Sequence, residues 1–343
     1  MNDSEIGCII SMNGLQGGIY MKKAAKNAIK AAAVASGALV GVSGIIYEGV
    51  LSRTMIDFFS KNRIFADKEA DRIFASEDAE KAKKWFNDIA PSPAVIVDSD
   101  DEQYYAYIAK QKTPTHNWAI CVHGYSSGPI GIADFGQHYY EKGFNVLFPC
   151  MRAHSLDLHK YCSMGYYDRY IVCEWIKKIV AEDKDAKILV HGVSMGGATT
   201  MLVTGENLPE NVVCAVADCG YTSCWDEYKA QIGGTLHLPA FPFLPMLNKI
   251  SVLRGNFNFK ECSPLKAVAK SKTPTLFIHG EKDTFVPYSM MDELYNACSA
   301  EKDKLSVPDA IHAVSSLVHP DIYWAKVDQF ESEYFDEKVG AAK

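Results

Sequence analysis

Between Tyr104 and Glu281 the chain carries six short apolar runs: YYAYIAK, NWAICVHG, FNVLFPCM, AKILVHGVS, VVCAVADCG and TPTLFIHGE. Most of them lack the polar alternation of a half-solvated strand, so both of their faces must be covered. Helical segments lie between them. In YIVCEWIKKIV, for example, Ile171, Trp175 and Ile179 recur every four residues and form one apolar face. This pattern predicts an α/β fold, with a mostly parallel central sheet and helices on both faces. A length of 343 residues allows one large domain of this kind with additions.

The additions are readable from shifts in composition. Residues 1–20 are polar and Gly-rich and read as a flexible leader. From Met21 the character changes: Lys22, Lys23, Lys26 and Lys30 precede a small and apolar run from Ala31 to Tyr47. Residues 21–52 therefore read as a signal-anchor or transmembrane-like helix. The run itself spans only about 25 Å, so flanking helical residues would complete the crossing. Gly37 and Gly41 form a G-x-x-x-G of the kind that pairs helices in bilayers. Lysines on the N-terminal side predict a membrane-anchored chain with its body outside the cell. The ten cysteines, with no C-x-x-C pair, read as small buried side chains and point to a reducing compartment instead. The alternative is therefore a cytoplasmic protein whose helix docks on its own body. Met21 also reads as a plausible start, with the leader over-extended.

Residues 53–90 read as a helical linker region, in which ASEDAEKAKKWFNDI is a capped amphipathic helix. The α/β core is expected over 91–224 and 260–340. Residues 225–259 interrupt the alternation with a Gly-Gly pair and the Pro- and Phe-rich LPAFPFLPM, and predict a small helical cap over the strand ends. A net charge of −7 offers no basic excess to neutralise phosphates, which argues against nucleic acid as a partner.

The chemistry is concentrated in Gly192-Val193-Ser194-Met195-Gly196, which follows the strand AKILVH and precedes a helix. A serine presented on a sharp strand-to-helix turn needs small neighbours two residues before and after it. The N-terminus of the helix also aims N–H groups at the site. A serine hydroxyl attacks only when a base removes its proton, and that base must be held by an acid. Asp283, in HGEKDTFVP, and His312, in PDAIHAVSS, both lie at predicted strand ends, where α/β sheets place their sites. Asp218 and Glu281 are rival acids, and His319 is a rival base. Two backbone N–H groups are expected to hold the oxyanion, those of Met195 and of Tyr125 in the loop His123–Gly128. His123, His191 and His279 read as structural hydrogen-bonding residues. His154 and His159 lack the spacing of a metal motif, so neither a metal nor another cofactor is expected.

HGYSSG, HGVSMGGAT, DCGYTS, TPTLFIHGEKDTFVP and IHAVSS, in this order, resemble bacterial α/β hydrolases of the serine-aminopeptidase-like branch, over about residues 85–335. Several members of that branch carry an N-terminal membrane segment. The resemblance implies the α/β-hydrolase fold and the roles already read: Ser194 as nucleophile, Asp283 as acid, His312 as base, and Tyr125 and Met195 as oxyanion donors. Two departures stand out. Relatives often have R-G-H-G where this chain has Arg152-Ala153-His154-Ser155. They often have G-A-G-H where it has Asp309-Ala310-Ile311-His312.

The expected reaction is hydrolysis through an acyl-enzyme. Trp225, Phe241, Phe243 and Leu244 are expected to line an apolar acyl pocket, or else to form the cap's own core. A carboxylic ester of small or medium chain length is the expected substrate. A peptidase or amidase is the alternative, and a non-catalytic membrane-anchored binding protein is the second alternative.

Overall fold

The six apolar runs become strands of one eight-stranded sheet, which places the functional loops along one edge. The computed structural model describes residues 34, 36–62, 68–98 and 100–335. Its strands are β1 (Ser92–Val97), β2 (Gln103–Ala109), β3 (Asn117–Val122), β4 (Asn145–Pro149), β5 (Lys187–Val193), β6 (Val212–Asp218), β7 (Thr275–Gly280) and β8 (Lys302–Val307). They lie in the order β1-β2-β4-β3-β5-β6-β7-β8. The β1–β2 and β2–β4 pairs are antiparallel and every other pair is parallel. The middle strands are sealed on both faces, with every residue of β4 and β7 buried. β1 stands outside the six runs for a physical reason. It is an edge strand whose residues alternate between exposed and half-buried, and it tolerates Pro93.

The helices are α1 (36–51), α2 (Arg53–Asn62), α3 (Lys68–Phe74), α4 (Glu77–Ile89), α5 (Ala133–Glu141), α6 (Asp168–Glu182), α7 (Met195–Thr204), α8 (Cys224–Gly234), α9 (Ala240–Arg254), α10 (Pro264–Val268), α11 (Ser289–Ala297), α12 (Ser315–Val318) and α13 (Pro320–Phe335). The capped helix expected in the linker region is α4. Its N-cap is Ser76, whose Oγ accepts from the Ala79 N–H, and it stops where Ala90 turns left-handed. On one face of the sheet α4, α5 and α13 contribute Phe86, Phe135, Tyr139, Tyr323 and Phe330 to a continuous core. On the other face α6 and α7 contribute Ile171, Trp175, Ile179, Ala198 and Leu202, and α8 and α9 extend that core with Tyr228, Ile232, Leu244, Leu247 and Ile250. Each large side chain sealed in this way stabilises the fold by about 2–3 kcal/mol relative to exposure. The nine cysteines among the described residues are free thiols, eight of them buried and Cys173 half-buried.

Of the expected bilayer-crossing helix over 21–52, residues 34 and 36–52 are described, and they lend it no support. Among the described residues no helix is long and apolar enough to cross a membrane. The expected leader, residues 1–20, and the lysine-rich start of the anchor lie outside the described residues. In α1 a stripe at i, i+4 and i+8 (Ser43, Tyr47 and Leu51) is buried against protein. Tyr47 packs on the Tyr161 ring at 5.2 Å, and Glu48 accepts from the Tyr161 hydroxyl and pairs with Arg254 at 2.5 Å. Leu51 O and the Arg53 N–H bond to the backbone of residues 160–162. The visible half of the segment therefore docks on the body, while Val34 and Ile45 face outwards. A Cβ at Gly37 or Gly41 would meet open space, so neither glycine serves close packing among the described residues.

Candidate active site

Ser194 sits between β5 and α7 with φ 59° and ψ −120°, outside the conformations that L-residues readily adopt. Three glycines make this turn possible. A Cβ on Gly196 would lie 2.0 Å from Val122 O, one on Gly192 would lie 2.1 Å from Gly196 O, and one on Gly197 would lie 2.4 Å from Asp218 O. These obstacles are backbone carbonyls, which cannot step aside. The Ser194 N–H is tied to Asp218 O at 2.9 Å, so the bend is also fastened to β6. Met195 opens α7, where the first N–H groups have no intrahelical acceptor.

The loop after β3 runs alongside. A Cβ at Gly124 would lie 3.4 Å from Ser194 Cβ, so this backbone passes directly beside the serine. Two buried imidazoles shape the loop. His123 bonds Gly124 O through Nδ1 at 2.8 Å, and its Nε2 accepts the Met151 N–H at 3.2 Å. Burial, reinforced by the neighbouring His154, pushes His123 down to about 3, so it stays neutral. His154 Nδ1 bonds Arg152 O, and its Nε2 accepts the Ser126 N–H at 3.1 Å. The loop role of His154 is not readable from its spacing to His159 or from its place in Arg152-Ala153-His154-Ser155. Tyr125 is anchored at its far end by a 2.5 Å bond from its hydroxyl to Val50 O of α1.

His312 lies on the loop after β8, between Asp309 and Ala313, both at positive φ. Its Nε2 is 2.8 Å from Ser194 Oγ, and its Nδ1 is 2.7 Å from Asp283 Oδ2. Asp283 Oδ1 accepts the N–H groups of Phe285 and Val286, both at 2.9 Å. Burial pushes this carboxyl up, but the His312 charge and a hydrogen bond from His279 outweigh it and hold Asp283 down to about 2. An ionised Asp283 accepts from Nδ1–H and leaves the Nε2 lone pair facing the serine hydroxyl. His279 Nε2 reaches both Val286 O at 3.0 Å and Asp283 Oδ2 at 3.2 Å, a hydrogen-bonding position of the kind expected for it. Asp283 and His312 are thus brought to Ser194, although 118 residues separate serine from imidazole.

The rivals lie elsewhere. Asp218 is under the bend, where its Oδ2 accepts from the Tyr323 hydroxyl at 3.0 Å. Its side-chain partner there is thus a buried tyrosine, not an imidazole. Tyr323 ends a chain through His191 to Tyr139. Burial pushes Asp218 up to about 6. Glu281 is exposed, and His319 follows the short α12. Of the expected acyl-pocket residues, Leu244 is buried in the core, Phe241 is 79% exposed, Phe243 is half-buried, and half-buried Trp225 lies under Lys260 at 4.3 Å. They do not converge on one wall, because α9 turns Leu244 inwards and leaves Phe241 outside. Among the described residues one set of potential metal ligands, Cys219, Asp283 and His312, falls in the site itself, and another, His116, Asp183 and Asp185, lies on the surface.

The model of the prolyl oligopeptidase family matches residues 166–338. An uncharacterized protein of Bacillus subtilis, YqkD, is 29% identical over 65% of this chain and 73% of its own length. The α/β hydrolase domain-containing protein WAV2 of Arabidopsis thaliana is 30% identical over 45% of this chain and 49% of its own. In structure, the chain resembles the Pyrococcus furiosus esterase Pf2001, with a TM-score of 0.58, 20% identity and coverage of 73% and 95% of the two chains. It also resembles the Pyrococcus horikoshii acylaminoacyl peptidase, with a TM-score of 0.53, 16% identity and coverage of 73% and 43%. These structural likenesses concern the fold. The chain is an α/β-type serine hydrolase and belongs to the prolyl oligopeptidase family.

Proposed function

We propose that the chain hydrolyses acyl compounds through a covalent intermediate on Ser194. His312 takes the serine proton as Oγ attacks the carbonyl, and Asp283 holds the tautomer and stabilises the imidazolium. The N–H groups of Met195 and Tyr125 receive the oxyanion, each donor being worth about 10²–10³ in rate. The proton on His312 then passes to the leaving group, and water releases the acyl group by the same steps. The reading is carried by the continuous contact from Ser194 Oγ through His312 to the ionised Asp283. On this reading α8 and α9 are the cap over the site, and 91–224 with 260–340 form the catalytic body.

A carboxylic ester is the proposed substrate class. The second reading, a peptidase or amidase, is favoured by the family match to residues 166–338. Against a free-amine substrate, Asp226 is engaged as an acceptor for Thr222 and Ser223 at the start of α8, and Glu227 is buried. A fluorophosphonate probe tests the chemistry. Labelling at Ser194, abolished in Ser194→Ala, is expected, and folded protein that resists the probe would return the non-catalytic binding reading. A panel of p-nitrophenyl esters and aminoacyl anilides tests the class: turnover of the anilides alone would make the chain a peptidase.

A further inference from the structure

The turn that carries Asp283 is held from three directions. Its own carboxylate binds the Phe285 and Val286 N–H groups, and His279 binds Val286 O. The third hold comes from 54 residues away: Gln231 Nε2, on α8, donates to Phe285 O at 2.6 Å. The same nitrogen donates to Glu227 Oε1 at 2.9 Å, and Gln231 Oε1 accepts from Thr235 Oγ1 at 2.8 Å. Both amide hydrogens and the carbonyl are therefore engaged, which fixes which way the amide points. Glu227 is 2% exposed, and its other oxygen has no hydrogen-bond partner. Burial pushes this carboxyl up to about 8, so at neutral pH it is an uncharged brace. The Phe285 ring meets His312 at 4.9 Å between centroids.

We infer that Gln231, braced by Glu227, is a positioning residue that ties the seating of α8 to the alignment of the His312–Asp283 pair. The inference rests on the serine-hydrolase reading above. Phe285 is the mechanical link. Its carbonyl is gripped by α8, its N–H by Asp283, and its ring leans on the imidazole. A displacement of α8 is thus transmitted to the base without any contact between Gln231 and the reacting atoms. A substrate that seats α8 would in this way also complete the alignment of the base.

The test uses the whole protein and three readouts: kcat and KM on a p-nitrophenyl ester, the pH profile of kcat/KM, and the low-field proton resonance of the His312 Nδ1–H bond. Gln231→Leu is expected to lower kcat about tenfold with KM within twofold, to displace the acidic limb of the profile, and to move the low-field resonance. Glu227→Ala is expected to lower kcat about fivefold, and Glu227→Gln, which keeps an acceptor for Gln231, to recover most of that loss. If Gln231→Leu does not fold, Thr235→Val removes only the hydroxyl that orients the amide and carries the same readouts. An unmoved resonance and an unchanged kcat in folded Gln231→Leu would overturn the inference. Equal losses in Glu227→Ala and Glu227→Gln would also overturn it, since they would reduce the pair to packing. Wild-type protein that neither labels nor turns over would sink the hydrolase reading first, which is a distinguishable failure.

Discussion

Asp283→Asn isolates what the acid contributes, because the surrounding turn dictates how the new side chain must sit. Oδ1 accepts from two backbone donors, Phe285 N–H and Val286 N–H. An amide NH₂ cannot replace that oxygen, since it would confront two donors in a buried turn. The asparagine should therefore keep its oxygen on the turn and present Nδ2 to His312 Nδ1, which is 2.7 Å from the present Oδ2, while the His279 Nε2–H, now facing Oδ2 at 3.2 Å, keeps Val286 O as its acceptor. An NH₂ there requires Nδ1 to accept, which moves the imidazole proton to Nε2. Nε2 then faces Ser194 Oγ as a donor and cannot take its proton. The charge that stabilises the imidazolium is lost as well. The same charge interaction holds Asp283 down to about 2. Together these losses should lower kcat by about 10⁴, or about 5 kcal/mol of transition-state stabilisation. Steady-state ester hydrolysis and the rate of fluorophosphonate labelling should fall by a similar factor while the circular dichroism spectrum is unchanged. A loss of less than tenfold in folded protein would refute the reasoning and move the acid elsewhere.

Asp218→Asn is the companion measurement: Asp218 has Tyr323 as its partner and is pushed up to about 6, so kcat at pH 7 should stay within about threefold of wild type, and a collapse like that expected for Asp283→Asn would make Asp218 the acid. Gly196→Ala would set a Cβ 2.0 Å from Val122 O, so a loss of about 3 kcal/mol or more, or failure to fold, is expected in urea unfolding. For Glu227 the sign of the pH effect is fixed. Its folded value of about 8 lies above the ordinary 4.5, so between these values the unfolded chain releases a proton that the folded chain keeps. Wild type should therefore lose about 1.4 kcal/mol per pH unit relative to Glu227→Gln as pH rises through this window, and parallel urea midpoints at pH 5 and pH 7 would contradict the burial argument.

The strands and the elbow were legible because their causes are local. A strand sealed on both faces has to be apolar throughout, as β4 and β7 are. The glycines at 192 and 196 are demanded by carbonyls that any such bend brings to within about 2 Å. Asp283 and His312 could be read because each sits one short loop beyond a strand end, and chain order limited the choice. The N-terminal segment was harder. Hydropathy records that a surface must be covered but not what covers it, so the segment reads first as a membrane crossing, with docking on protein as the alternative. A usable signal was Glu48, one turn beyond Gly44, whose carboxylate finds Arg254 and the Tyr161 hydroxyl. Such a group favours protein neighbours over hydrocarbon.

The substrate wall was not legible, for a reason that also bears on the cap's role. Phe241, Phe243 and Leu244 are adjacent in sequence and equally apolar, yet they span the range from solvent to core. Their fates depend on how α9 seats Leu247 and Ile250 in the core that also holds the docked Tyr47, a partner distant in sequence. The Gln231 bond to Phe285 O is a contact of the same long-range kind, and a glutamine on a polar helix face gives no hint of it. Its consequence differs, however. A misplaced aromatic changes which acyl group fits, whereas a misplaced Phe285 changes whether the imidazole is aligned for any substrate. If both depend on the seating of α8 and α9, selectivity and rate are set by one movable layer. Substitutions in its packing, such as at Leu247, should then alter kcat and substrate preference together rather than separately.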